Sequence, residues 1–185
     1  MSELGRSVVE AVEYVAAFHK DVAKLLGCVE DTLRGRGLDS SLWGATSVWD
    51  RSGAYHSPSG WIVRYLCRLY VPAPPENRKP EPQQKRWVYF IVYLTPRFVR
   101  EPTAVWGVVT AVEAVHPWAI MKSTMLRDDG PAFLKTEIVS AWEPVIERPD
   151  SAESFVYRAC PLVVLKDAAI VEDTVVNPLM ELFQR

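Results

Sequence analysis

The sequence lacks the short motifs that mark common enzyme families. It contains no phosphate-binding glycine loop, no dinucleotide-binding GxGxxG, no HExxH zinc motif and no GxSxG nucleophile turn. Each of these motifs places particular groups at a fixed spacing for one chemistry. Because none of these motifs is present, the spacing of residues in the sequence identifies no catalytic residue. We therefore predict no catalytic residue, no metal site and no cofactor, and favour a protein that is not an enzyme.

Cysteine pairs, signal-like segments and a strong charge of either sign are also missing. The three cysteines, Cys28, Cys67 and Cys160, lie far apart without a CxxC pair, which favours free thiols and a cytoplasmic location. The formal net charge is only -2, so no bulk attraction draws the chain to nucleic acid or anionic membrane. No apolar run approaches the roughly 18 residues of a membrane span. The sequence thus predicts a soluble protein without a membrane partner.

What the chain does contain is a long apolar repeat in residues 7–34. Its rows recur every seven positions: Val8, Val15, Val22 and Val29; Val12, His19, Leu26 and Leu33; Ala11, Phe18 and Leu25. So wide a stripe predicts a long helix buried along one face. Ser7 and Glu10 predict a capping box at its start, and Gly35 and Gly37 predict its end. Valine fills one whole heptad row, which disfavours a parallel two-stranded coil and favours docking on a sheet or on several helices.

Beyond residue 40 the apolar period changes to two, which indicates strands. The predicted strands are Leu42–Trp49, Trp61–Val71, Arg86–Thr95, Thr103–Val115 and Phe155–Leu165. Arg86–Thr95 is apolar or aromatic on both faces, so we expect it at the centre of the sheet. Pro161 predicts that the last strand lies at an edge or carries a bulge.

The segments between the strands complete the predicted architecture. Residues 72–85 include five prolines and no large apolar side chain, which predicts an exposed loop joining two hairpin strands. Helices are predicted at Pro131–Trp142 and from Asp173 onward. We expect one α+β domain over residues 1–185. It would be a mainly antiparallel sheet of about five strands, with the long N-terminal helix and shorter central and C-terminal helices on one face.

Basic and aromatic residues gather on the second and third predicted strands. The candidate binding residues are Arg64, Arg68, Tyr70, Arg86 and Trp87. A basic, aromatic sheet face is typical of single-strand nucleic-acid binders. The alternative is a solvated face whose arginines pair with glutamates and lie over aromatic rings. Trp61 and Trp87, at strand starts, are expected to reach the surface and anchor a partner.

Two ligand sites are further hypotheses. The first turn and the end of the fourth strand carry polar residues that would form a metal or acid–base site if they met. These residues are Asp50, Arg51, His56, Glu113 and His116. Ordinary turn and strand-end residues are the alternative interpretation. A small-ligand pocket between helix and sheet would be lined by Phe18, Tyr65 and Trp106, against the alternative of a close-packed core.

The order of the elements carries two resemblances. It is similar to that of the small acidic chaperones of bacterial secretion systems, which implies an extended partner segment docked along a sheet or helix face. It is also similar to the core of metal-dependent restriction-type nucleases, which implies a helix glutamate, Glu10 or Glu13, and the strand aspartate Asp50. The Glu-x-Lys of such nucleases is missing from Trp61–Val71.

We therefore expect a non-catalytic binding or accessory protein whose partner is another protein. Nucleic-acid binding, or a nuclease-like activity, is the alternative. Homodimer formation through helix or edge-strand surface is a further expectation.

Overall fold

The computed structural model describes residues 3–40, 65–74, 83–94, 101–124, 141–147 and 152–185, with side chains described except in 122–124 and 141–147. The elements in chain order are α1 (Glu3–Gly35), β1 (Leu38–Asp39), β2 (Tyr65–Pro72), β3 (Gln84–Tyr93), β4 (Thr103–Val115), α2 (Pro117–Thr124), β5 (Ala141–Glu147), β6 (Ser154–Pro161), α3 (Ala168–Val171) and α4 (Asn177–Gln184). A single 3₁₀ turn, Leu162–Val164, follows β6.

The strands form one antiparallel sheet in the order β1-β2-β3-β4-β6-β5. β3 lies in the middle, and its side chains from Trp87 to Tyr93 are all buried because both faces of the sheet are covered. β2 and β3 pair as a hairpin, with Tyr65 opposite Tyr93. The predicted α+β fold, the central strand and the hairpin are thereby confirmed. The tip of the proline-rich loop, residues 75–82, lies outside the described residues.

Two apolar layers lie on the two faces of this sheet. On one face, the second half of α1 and the C-terminal helices cover Phe90 and Trp106. On the other face, Ile120 and Met121 of α2 pack among the side chains that alternate with them, such as Tyr89. Helices therefore lie on both faces, whereas the sequence predicted them on one. The difference arises because α2, which hydrophobic periodicity did not predict, turns back onto the opposite face after β4.

Of the two predicted ends of α1, the N-terminal one is wrong and the C-terminal one is confirmed. The capping-box prediction is wrong, because the helix begins at Glu3 and the Ser7 hydroxyl donates to the Glu3 carbonyl oxygen from inside the helix, at 3.2 Å. The C-terminal prediction is confirmed. The helix ends at Gly35, and Gly37 has a φ of +84°, a conformation that glycine adopts without a side-chain clash.

One helix prediction and one strand prediction need correction, and three predicted segments lie outside the described residues. Ala141–Trp142, predicted as a helix end, belong to strand β5, and Pro144 is tolerated there because β5 is an edge strand among those described. The last predicted strand is β6, which lies between β4 and β5. Pro161 is its final residue and marks neither an edge strand nor a bulge. Because it stands at the strand end, its missing N–H removes no hydrogen bond from the middle of the strand. Leu42–Trp49, the start of the next predicted strand and residues 131–140 lie outside the described residues.

The C-terminal helix starts earlier than the sequence predicted. Asp167 caps α3 by accepting a hydrogen bond from the Ile170 N–H at 3.0 Å. Pro178 lacks an N–H and interrupts the regular ladder, so a wider turn at Glu172–Val176 joins α3 to α4. The inward packing predicted for this segment is confirmed, since Leu179 is fully buried.

Candidate functional site: the projecting helix face and its groove

Only the second half of α1 is buried against the sheet. Val22 and Val29 are 2% and 0% exposed, whereas Val8 and Val15 in the same heptad row are 55% and 47% exposed. The expectation that the whole stripe is buried is therefore wrong for its first half, whose apolar side chains are exposed.

The exposed stretch has one apolar side, which we call the projecting face. It consists of Leu4, Val8, Val9, Ala11, Val12 and Val15. Glu10 and Glu13 lie elsewhere around the helix, so the apolar side chains are not interrupted by charge. A contiguous apolar patch of this kind is uncommon on the surface of a monomeric protein.

A groove of about 310 Å³ opens where the projecting half meets the body of the molecule. Its α1 wall is formed by Phe18, Asp21, Val22 and Leu25, and the opposite wall by Glu101, Pro102, Leu162, Val163 and Leu165. Val163 is 67% exposed although it is apolar. Leu4, Ala11, Phe18 and Leu25 recur at seven-residue spacing. The projecting face therefore continues along the helix into the groove.

Polar groups are found at the edges of this groove. Asp21 accepts a hydrogen bond from Lys24 at 2.8 Å, and this bond lowers the pKa of the Asp21 carboxyl. An adjoining hollow of about 540 Å³ runs along Lys24 and Cys28 of α1 to Lys166 and Asp167. The site thus combines an apolar floor with charges of both signs at its rim, as interaction surfaces commonly do.

The predicted binding residues do not come together on one open face. Tyr70 is buried on the α1 side of the sheet and Trp87 on the α2 side. The expectation that Trp87 reaches the surface is wrong: it is 0% exposed, because β3 is covered on both faces. Arg64 and Trp61 lie outside the described residues.

The two described arginines of that set have their guanidinium groups engaged within the molecule. Arg68 Nη2 lies 3.7 Å from Glu30 Oε2. Arg86 donates from Nη2 to the Leu182 carbonyl oxygen at 2.7 Å, and its Cζ lies 5.5 Å from the centre of the Phe183 ring. These contacts link the sheet to α1 and to α4. The Arg68–Glu30 pair and the Arg86–Phe183 contact resemble the alternative interpretation, but the face is covered rather than solvated.

The described residues bring together neither of the two predicted ligand sites. Glu113 and His116 are both exposed at the end of β4, and Asp50, Arg51 and His56 lie outside the described residues. Within the described part of the chain, no three His, Cys, Asp or Glu side chains gather as a metal site would require.

Tyr65 and Trp106 lie on opposite faces of the sheet, so they cannot line one pocket with Phe18. Only Phe18 of that set lines the groove.

The nuclease-like residues are also dispersed. Glu10 and Glu13 are exposed on the projecting half of α1, away from the sheet, and Asp50 lies outside the described residues. The geometry of the described chain therefore supplies no support for that alternative.

The cysteines are free thiols, as the sequence predicted. Burial raises the pKa of Cys67, and it raises the pKa of Cys160 to about 12. Cys28 is partly exposed and lines the hollow beside the groove. Of the three, only Cys28 is placed where a reagent in solution reaches it.

Sequence reasoning missed the groove because half of it was assigned to a strand. Leu162–Leu165 continue the apolar run of β6, and the run alone predicts a longer strand. The chain instead turns at Pro161 into the 3₁₀ turn, which brings Val163 opposite Phe18.

No known family matches this chain. Neither a family model, nor a curated protein, nor a solved structure is similar to it within the limits of the comparisons. None of the described helices has both the length and the apolar character to cross a membrane. Inference about function therefore starts from the projecting face and the groove.

Proposed function

We propose that the protein is a non-catalytic, cytoplasmic binding protein that contacts a protein partner through the projecting face of α1. The observation that carries this proposal is the change of exposure along one stripe. Val12 is 64% exposed, whereas Leu26 and Leu33 in the same row are 7% and 0% exposed. A surface with core-like composition and no covering element among the described residues is a surface suited to a partner.

The energetics favour a protein over nucleic acid at this face. Burying one valine or leucine side chain contributes roughly 1.5–3 kcal/mol, so several such side chains together support specific binding. Phosphate contacts need a row of basic groups, and the first four turns of α1 carry Arg6 but also Glu3, Glu10 and Glu13. A helix face docked on an apolar surface is the mode of recognition that these residues fit.

The helix face is also better suited than the sheet, which the sequence offered as an equal alternative. The described side chains of β3 beyond Arg86 are buried on both faces. Docking there would require the layers of the fold to separate, at the cost of the contacts that hold them together. Docking on the projecting face requires no such change.

The test is capture of partners from cell extract with matched variants. Val8→Asp with Val12→Asp places charge on the projecting face, and Glu10→Gln with Glu13→Gln alters the polar side of the same turns. We expect the aspartate pair to lose a saturable partner at least tenfold and the glutamine pair to retain it. Equal capture by both pairs would refute the proposal. Circular dichroism and urea unfolding of both pairs verify that the fold is intact.

A further inference from the structure

We infer that Arg158 of β6 and Trp106 of β4 form a binding site for the carboxylate of a small organic acid. The two residues are paired directly across neighbouring strands. Neither belongs to α1 or lines the groove, so this site is independent of the proposed function. The inference follows from two buried hydrogen-bond donors without a described acceptor and from an arginine without a described counter-ion.

The two donors are the indole nitrogen of Trp106 and the Nε of Arg158. Both atoms are buried, and neither has a hydrogen-bond partner in the described parts of the chain. Residues that lie directly opposite each other project from the same face of a sheet, with their Cβ atoms about 4.5–5.5 Å apart. Because a buried N–H without an acceptor is costly, such donors are uncommon in proteins. Two of them on paired residues are able to share one acceptor group.

The arginines on the α1 side of the sheet differ in their contacts. Arg68 has Glu30 as its counter-ion, and Arg86 donates to the Leu182 carbonyl oxygen. The guanidinium of Arg158 forms no ion pair and no hydrogen bond with any residue that the structure describes. A guanidinium remains charged when it is partly buried, and such a charge is favourable only when it is paired. Arg158 is therefore suited to an anion from outside the described chain.

The chemistry of the site favours a carboxylate with an apolar body. A guanidinium presents parallel N–H groups that match the two oxygens of a carboxylate, and the indole N–H adds a further donor. Arg158 is the only lysine or arginine in the sequences of β4, β5 and β6, so one negative charge balances it. A phosphate dianion would leave an excess charge among apolar side chains. Those that flank the pair on this face are Val108, Val156 and Cys160.

Arg158 also lies where a small molecule is able to reach it. On β3 and β4 the α1 side of the sheet is covered by α1 and the C-terminal helices, and Phe90 and Trp106 are fully buried. On β6, Val156 and Arg158 are partly exposed, so the cover by the described elements is incomplete there. Because the two unpartnered nitrogens lie below the surface, a small acid fits the site better than the surface of a folded protein.

The ligand class is tested by NMR titration of ¹⁵N-labelled protein with benzoate and hexanoate. Benzamide is the uncharged control, and Trp106→Phe assigns the indole N–H resonance by removing it. We expect both acids to bind saturably and to shift this resonance, with benzamide roughly tenfold weaker or more. Equal binding of benzoate and benzamide, or acids that leave the resonance unmoved, would overturn the inference. Tighter binding of inorganic phosphate or of a short glutamate-containing peptide would overturn the small acid as occupant.

The residues are tested with matched variants in the same titration. Arg158→Gln removes the charge at the site, and Arg6→Gln removes an equal charge from the first turns of α1. We expect the affinity for benzoate to fall roughly tenfold or more in Arg158→Gln and to stay unchanged in Arg6→Gln. Arg158→Lys keeps the charge without the planar fork and should bind with intermediate affinity. Unchanged affinity in Arg158→Gln would refute the site.

Urea unfolding verifies that each variant is folded. If Arg158→Gln does not fold, Arg158→Lys and Trp106→Phe decide the question, since each keeps a large side chain and alters only the donors. Benzoate affinity that is unchanged in both of these variants would overturn the inference.

Discussion

Glu30 of α1 and Arg68 of β2 face each other across the boundary between helix and sheet, with Glu30 Oε2 3.7 Å from Arg68 Nη2. The same carboxylate accepts hydrogen bonds from Arg34 at 2.8 Å and from Ser40 at 3.0 Å. Both members of the pair are largely buried, with 20% and 24% of their side chains exposed. Glu30 therefore joins the buried half of α1 to β2 and to the residues that follow β1.

The first prediction concerns this carboxylate. Glu30→Gln keeps the shape of the side chain but leaves the Arg68 charge without its described counter-ion, so we expect a loss of about 1–2 kcal/mol in the free energy of unfolding. Asp31→Asn is the matched control, because Asp31 is 81% exposed and contacts Arg34 at 3.7 Å. Its expected effect is below about 0.5 kcal/mol. Urea unfolding measures both, and equal losses would contradict the role assigned to Glu30.

The second prediction contrasts two glycines. A Cβ added at Gly107 would lie 2.9 Å from both the Tyr157 Cα and the Tyr89 hydroxyl, and it would overlap the Val156 carbonyl oxygen. Because backbone of the neighbouring strand cannot move aside cheaply, we expect Gly107→Ala to cost about 3 kcal/mol. Gly27 lies in α1 with nothing near its Cβ position, so Gly27→Ala should stabilise by about 0.5–1 kcal/mol. Thermal unfolding of the two variants should shift in opposite directions, and a tolerated Gly107→Ala would refute the close approach.

Local patterns in the sequence predicted those parts of the fold that depend on a single segment. The strand Thr103–Val115 was predicted with its observed bounds, because its valine-rich apolar run ends at His116 and Pro117. The heptad rows likewise predicted α1, and Gly35 and Gly37 predicted its end. In both places the apolar pattern, the turn residues and the length indicate the same element, so little is left for distant contacts to decide.

Contacts between segments that are far apart in the sequence determine the rest of the fold. Val8 and Val22 occupy the same heptad row, and packing against distant segments of the chain makes Val22 buried while Val8 is exposed. Trp142 lies in a short apolar run that fits a helix or a strand equally well, and pairing of β5 with β6 makes it a strand. The groove joins Phe18 to Val163, which are far apart in the sequence, so no local pattern points to it.

The third prediction concerns Tyr70 and alkaline pH. Its hydroxyl is buried and has no hydrogen-bond partner among the described residues, so Tyr70→Phe should leave stability at neutral pH unchanged or slightly raised. Burial, reinforced by the Glu30 carboxylate, raises the pKa of Tyr70 well above 10.

Because the folded pKa lies above the unfolded one, the unfolded chain releases the Tyr70 proton at a lower pH than the folded chain does, so stability falls as the pH rises above 10. Tyr70→Phe should therefore reduce the fall in stability above pH 10. Urea unfolding at neutral and alkaline pH measures the effect, and an unchanged alkaline slope would contradict it.

The last prediction concerns the thiols. The pKa of Cys160 is raised to about 12, and the pKa of Cys67 is raised as well, so at neutral pH neither is a thiolate in the folded protein. Cys28 is partly exposed at the hollow beside the groove. We therefore expect a maleimide to label one thiol per chain under native conditions and all three in denaturant. Cys28→Ser should abolish the native labelling and leave two thiols that react only after unfolding. Rapid native labelling of that variant would show that the sheet layers open far more readily than their burial implies.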